Sequence, residues 1–388
     1  MTSPNDAALR REEITRENAE AYLHGNYDRR HVTADEYRHF RQFGYIKFEG
    51  LVPPEDVDEM DRHTKDLMAG RLPEQLEMDG VDPRGGKASD LQEGEDDTLR
   101  HLFRPPEGLS DEEKAQLFLR LHMLHRHLPL HERYLLHPRI LDVLEVLIGP
   151  DVSALQSMLF LKPPGRTGQG WHQDSYYIPT HPDTLCGTWL AIDDADEYNG
   201  GLWMAKGSAA EPVYPPCRDS KDGVQQYGFG ERMIPDLKHV TNASEPDDSI
   251  NALAPIADRY DQVLVTAKKG DVILFNGHIL HRSKANVTSD RFRRAFVGHY
   301  CNARSYTQWG HEGRENQEGV AATSTNGSHI LCRGDSHLPF ARPKFGTPCA
   351  ALLPEDVRRD ALDRAATVLA QHGSGLMGCG IGVPDDHD

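Results

Sequence analysis

No two cysteines are spaced Cys-x-x-Cys; the six stand apart at 186, 217, 301, 332, 349 and 379. That spacing excludes zinc ribbons and thioredoxin-type redox sites, and scattered thiols fit a reducing compartment. Long apolar runs are missing, and none approaches the ~18 residues needed to span a bilayer. The opening Met1-Thr2-Ser3-Pro4-Asn5-Asp6 has no basic-then-apolar signal pattern. These absences predict a cytoplasmic protein without a membrane partner. Positive charge is in deficit: 43 Lys and Arg stand against 61 Asp and Glu, a formal net charge of −18. Such a surface repels nucleic acid and anionic lipid. No serine sits in a nucleophile elbow, which leaves hydrolase chemistry unsupported. His122, His125, His127 and His131 cluster in sequence but form no His-Glu-x-x-His zinc motif.

What is present suffices for a real core. The chain has 388 residues, 38% of them hydrophobic and 7% aromatic. That length suits two domains, or one large domain with extensions. Residues 1–32 read as a mobile arm. Thr33 and Glu36 form a capping box for a helix over 34–43 that ends at Gly44, and 45–48 alternates like a strand. Pro53-Pro54 opens a helix over 55–68. Residues 70–109 read as an insertion loop, Ser110 with Glu113 caps a helix to about 125, and Pro138 starts another that Gly149-Pro150 stops. Strands follow over 152–161, 188–192, 202–204, 263–265, 271–275 and 293–301. An irregular insertion spans 211–261, and 310–350 is loop-like. Residues 311–388 form an extension with one helix over 355–371 packing on the core. Short strands separated by turns predict a closed or double-layered β core within 33–310.

The most informative stretch is Gly170-Trp171-His172-Gln173-Asp174. Side chains alternate along a strand, so His172 and Asp174 share one side and can grip one metal ion. A second His would complete a 2-His-1-carboxylate face with open coordination positions, as in non-haem Fe(II) oxygenases. His278 and His281, just after the strand over 271–275, are the candidates.

Three blocks then carry a resemblance. The first is Met158-Leu159-Phe160-Leu161-Lys162-Pro163-Pro164-Gly165 with Trp171-His172-Gln173-Asp174. The second is Thr188-Trp189-Leu190-Ala191-Ile192-Asp193-Asp194 with Asn199-Gly200-Gly201-Leu202-Trp203. The third is His281-Arg282-Ser283 with Asn286, Thr288 and Arg293-Arg294-Ala295. Jointly they resemble the phytanoyl-CoA dioxygenase family. The resemblance implies a mainly β fold with flanking helices around a double-stranded β-helix (jelly-roll, cupin-like) core. It implies Fe(II), with 2-oxoglutarate and O2 as co-substrates. His172, Asp174 and His281 become the iron ligands, because Ser283, Asn286 and Thr288 follow His281 at the family's spacing. Lys206-Gly207-Ser208-Ala209 departs from the family's Pro-Gly-Ser-His.

For the distal carboxylate of 2-oxoglutarate, an Arg fork is the fitting partner. The family's usual spacing falls on Phe292; aligning Arg-Arg-Ala instead selects Arg293, with Arg291 as the alternative and Arg294 pointing the other way. Ser283 would add a hydroxyl, and Met158 and Trp189 match positions that line the co-substrate site. The implied reaction oxidises, most often by hydroxylation, an unactivated C–H bond of a small organic molecule, releasing succinate and CO2. Desaturation or ring closure are variants of it. The carboxylate at 174 argues against halogenation, which uses Gly or Ala there. The reading from another class is a catalytically silent β-barrel that binds a ligand or partner protein. Tyr176, Tyr177, Trp203, Arg304 and Trp309 are candidates to line a substrate pocket. A monomer or homodimer is expected.

Overall fold

The computed structural model describes residues 27–75, 120–126, 128–214, 246–305 and 329–336, with short pieces at 104–105, 107–110 and 113–114 and a few single positions beyond 306. Residues 1–26, most of the 70–109 loop, 215–245, Trp309 and the helix expected over 355–371 lie outside the described residues, save single positions of that helix.

Local sequence signals place the N-terminal helices. Helix α1, Ala34–Phe43, begins at the Thr33/Glu36 capping box with both reciprocal bonds made, and Gly44 closes it at φ 83°. Only glycine adopts that backbone without strain. Strand β1, Tyr45–Phe48, follows at once. Helix α2, Pro54–Ala69, has proline in its first turn. A finding against expectation comes next: Arg120–His122 is a strand, β2, not the end of a helix. Its pairing with a long neighbouring strand overrides the helical pattern. Helices α3, Pro129–Leu135, and α4, Pro138–Leu147, complete the helical layer.

From here strands dominate: β3 Val152–Lys162, β4 Gln169–His172, β5 Cys186–Ala191, β6 Leu202–Ala205, β7 Gln262–Val265, β8 Val272–Asn276, β9 His281–Ser283, β10 Arg293–Asn302 and β11 Ile330–Arg333. Two short helices intervene, α5 Asp174–Tyr177 and α6 Ala254–Ala257. Strand β11 lies inside the stretch expected to be loop; four residues at a sheet edge leave too short a pattern to read.

All strand pairs are antiparallel, and they make two sheets. The larger runs β1-β8-β5-β10-β3-β11, with β2 also on β3; the smaller runs β4-β9-β6-β7. This is the double-layered jelly-roll core. Met158, Trp189, Ile273, Phe275, Ala295 and Val297 of the large sheet meet Leu202, Met204 and Val265 of the small one. Their alternates Leu159, Leu161, Leu190, Val272, Leu274 and Phe296 pack outward against Val57, Met60, Tyr134 and Leu144 of the helices. A third cluster, with Trp171, Leu280 and Ile256, covers the outside of the small sheet. Burial on both faces explains why Met158–Leu161 of β3 and Val272–Phe275 of β8 read as unbroken apolar runs. Among the described residues no helix is long and apolar enough to cross a membrane.

Candidate metal centre

Strands β4 and β9 pair so that His172 stands directly opposite His281. Close approach of the two strands is secured upstream by Gly168, where a Cβ would meet the Ser283 carbonyl oxygen at 1.9 Å. The two rings lie 4.1 Å apart, centroid to centroid. Asp174 is not on the strand; it opens α5. Gln173 before it keeps an extended backbone, φ −124° and ψ 130°, so the alternation of sides runs on through Asp174. Its Oδ1 is 3.7 Å from Nε2 of His172 and 3.7 Å from Nε2 of His281. One ligand atom from each of the three lies within 4.8 Å of the others, and all three residues are buried. Gln173 faces away: its amide donates to the carbonyls of Pro212 (3.0 Å) and His278 (2.7 Å).

The protonation states suit a metal. Nδ1 of His172 lies 2.8 Å from the Gly170 carbonyl, and Nδ1 of His281 lies 3.1 Å from that of Ile279. A carbonyl only accepts, so each Nδ1 carries a proton and Nε2 is the nitrogen each ring turns to the centre. Burial, then the neighbouring His281, pushes the His172 pKa down to about 3. For Asp174, burial would raise the carboxyl, but His281 and His299, with a hydrogen bond from the latter, hold it far below the usual carboxylate range. Two imidazole nitrogens and one carboxylate oxygen are the donor set that Fe(II) takes.

His278, the rival distal His, is held elsewhere. Its ring bonds Asp183 at Nε2 and the Glu211 carbonyl at Nδ1 (2.9 Å). Burial would lower its pKa, but Asp183 raises it.

Beyond Ser283 the inner face becomes cationic. Lys162 Nζ donates to Ser283 Oγ at 2.9 Å and to the Lys284 carbonyl at 2.6 Å. Arg293 stands opposite Lys162 in the β10–β3 register. It is 2% exposed, with Nε unpartnered among the described residues and the guanidinium 5.6 Å from the Trp189 ring centroid. Burial pulls its pKa down to about 10, against Asp193, which is itself bonded by Arg294. Lys162 is pushed well below its ordinary value by burial and then by Arg293. Two buried cations so placed call for an anion. Arg294 points outward, to Asp193 and Asp61. Arg291 is in a different place: its side chain is 41% exposed and bonds Asp196. It precedes β10, so it does not share the Arg293 face. Asn286 and Thr288 shape the loop between them, both donating to the Arg291 carbonyl.

The pocket candidates scatter. Met158 and Trp189 lie in the inner cluster. Tyr177 is 6.4 Å from the His172 ring and edge-on to Tyr176 at 5.1 Å. Trp203 is on the wrong side: it registers with Arg282 while Met204 registers with His281, and Lys284 Nζ sits 4.2 Å over its ring. One residue of offset on a strand reverses the face. Arg304 is also outside, bonded to Asp151 at 3.1 Å with 65% of its side chain exposed.

Sequence reasoning missed Lys162, His299 and Arg120. The first two lie on inner faces by period two from Met158 and Arg293, a signal that was there to follow. Arg120, exposed on β2, shares the Met158–Phe160 face through the register and its charge disfavours protonation of His172.

The phytanoyl-CoA dioxygenase (PhyH) profile matches residues 40–295 of this chain. A phytanoyl-CoA dioxygenase domain-containing protein 1 from Danio rerio is 26% identical over 298 residues, 72% of this chain and 94% of that protein. A phytanoyl-CoA dioxygenase 1 from Oryza sativa subsp. japonica is 28% identical over 168 residues, 43% of this chain and 51% of its own length. Among solved structures, the non-heme monooxygenase ThoJ in apo form aligns at a TM-score of 0.48 and 18% identity, over 85% of this chain and 94% of that one.

Proposed function

The chain belongs to the phytanoyl-CoA dioxygenase family and is an Fe(II)- and 2-oxoglutarate-dependent dioxygenase; from that premise we propose that it hydroxylates an unactivated C–H bond of a small organic molecule. Residues 33–310 form the catalytic domain in this reading. His172, Asp174 and His281 hold the iron. When bound, the iron and 2-oxoglutarate supply the oxidising chemistry, with succinate and CO2 released.

The chain's own residues orient the reactants and exclude water. Arg293 takes the distal carboxylate of 2-oxoglutarate, and Ser283, held by Lys162, adds a hydroxyl to it. Trp189 and Met158 wall that end. Tyr177 and Tyr176 stand at the substrate side of His172. Trp203 and Arg304 have no part, for the reasons of face and partner given above. The observation that carries the reading is the continuous path His281–Ser283–Lys162–Arg293 along the inner face, which joins the two-imidazole, one-carboxylate triad to a buried guanidinium that no carboxylate bonds among the described residues. Among the described residues Cys186, Cys301 and Cys332 are buried, which fits a reducing, cytoplasmic setting.

The test is an anaerobic titration of the full chain with Fe(II) and then 2-oxoglutarate. A weak visible metal-to-ligand charge-transfer band is expected; its absence defeats the proposal. A screen of small molecules for substrate-stimulated succinate release, followed by mass analysis, then separates hydroxylation (one oxygen gained) from desaturation or ring closure (two hydrogens lost).

A further inference from the structure

The carboxylate of Asp174 is divided between two tasks. Oδ1 faces His172 and His281, each 3.7 Å away. Oδ2 lies 3.0 Å from Nε2 of His299. His299 gets there because Arg293, Ala295, Val297 and His299 fall on one side of β10, and Ala295 and Val297 lie in the inner cluster. The β10–β3 register breaks between His299 and Tyr300, and breaks of this kind re-aim a side chain. An ionised carboxylate only accepts, so Nε2 of His299 carries the proton. Nδ1 is buried and has no hydrogen-bond partner among the described residues.

We infer that His299 is a positioning residue that keeps Asp174 a one-oxygen ligand. Its N–H holds Oδ2 and turns Oδ1 to the two imidazoles. The rest of the coordination sphere stays open for the co-substrate. This rests on the metal centre proposed above. Partners of ligating side chains commonly tune metal affinity in this way.

The experiment is a Co(II) titration of the apo full chain, followed by visible absorption, with circular dichroism to confirm folding. His299→Met removes the donor at similar length; His299→Gln keeps an N–H at similar reach. Co(II) affinity is expected to fall ~10- to 100-fold in His299→Met, with a changed ligand-field band, while His299→Gln stays near wild type. If His299→Met does not fold, His299→Leu is the second donor-free variant, with the same expectation. Wild-type affinity in the donor-free variant, or an equal loss in His299→Gln, overturns the role of His299 and leaves the centre standing. A wild-type chain that takes up no Co(II) overturns the centre itself.

Discussion

Two groups of histidines lie on either side of the large sheet, and they differ in what their nitrogens meet. On the inner face, His299, His172 and His281 converge on one carboxylate, and the two ligand rings are oriented by backbone carbonyls. On the outer face, His131 packs 5.6 Å from the Phe296 ring and 5.2 Å from His63, and among the described residues neither of its ring nitrogens has a partner. Burial, with His63 and His125 adding to it, drives the His131 pKa well below the ordinary value. His131 therefore acts as an uncharged aromatic plate between helix and sheet. Burial and crowding of imidazoles are common to both faces. A metal centre additionally needs anchored Nδ1 protons and a carboxylate within reach.

That contrast can be broken by mutation. Asp174→Ala or His172→Ala should abolish 2-oxoglutarate turnover, whereas His131→Phe should leave it running. Succinate release measures all three, and retained release in either ligand variant would sink the assignment. Arg293→Met should raise the KM for 2-oxoglutarate ~10- to 100-fold, the worth of a charge-assisted bidentate contact. Arg291→Ala should leave that KM alone; the reverse outcome would move the anchor to the surface pair with Asp196. The outer face is tested by pH. A histidine held neutral has a folded pKa below its unfolded one, so it contributes stability above pH ~6.5 that is lost as pH falls toward the folded value. One such residue costs about 1.4 kcal/mol per pH unit over that window. Melting curves at pH 7 and 5 should therefore diverge less for His131→Phe than for wild type; an equal drop would show that His131 is protonated freely in the fold. Far from both faces, Thr33→Ala should cost ~1 kcal/mol through the lost capping box and leave turnover unchanged. Denaturant unfolding reads that directly.

Helix α1 was legible to its last residue, because Thr33, Glu36 and Gly44 act within a few positions of one another. Strands β3 and β10 were legible because each is long and apolar. Strand β2 was not: Arg120–His122 becomes a strand only by pairing with β3. The His-x-Asp pair was legible from alternation, although Asp174 proved to open a helical turn. The side Trp203 takes was not legible, because being aromatic and near the motif says nothing about which way a strand faces.

Residue order alone was enough to specify the chemical parts: a His and an Asp one residue apart, a later His, an Arg-Arg pair, and caps and turns that act over three or four positions. Those are local relations, and local sterics and hydrogen bonding settle them. Which His joins the pair, which Arg is buried, and that His299 holds the far oxygen of Asp174 depend on register between strands more than 100 positions apart. Register is set by the packing of both sheet faces at once, a sum over the whole core that no short stretch of chain contains.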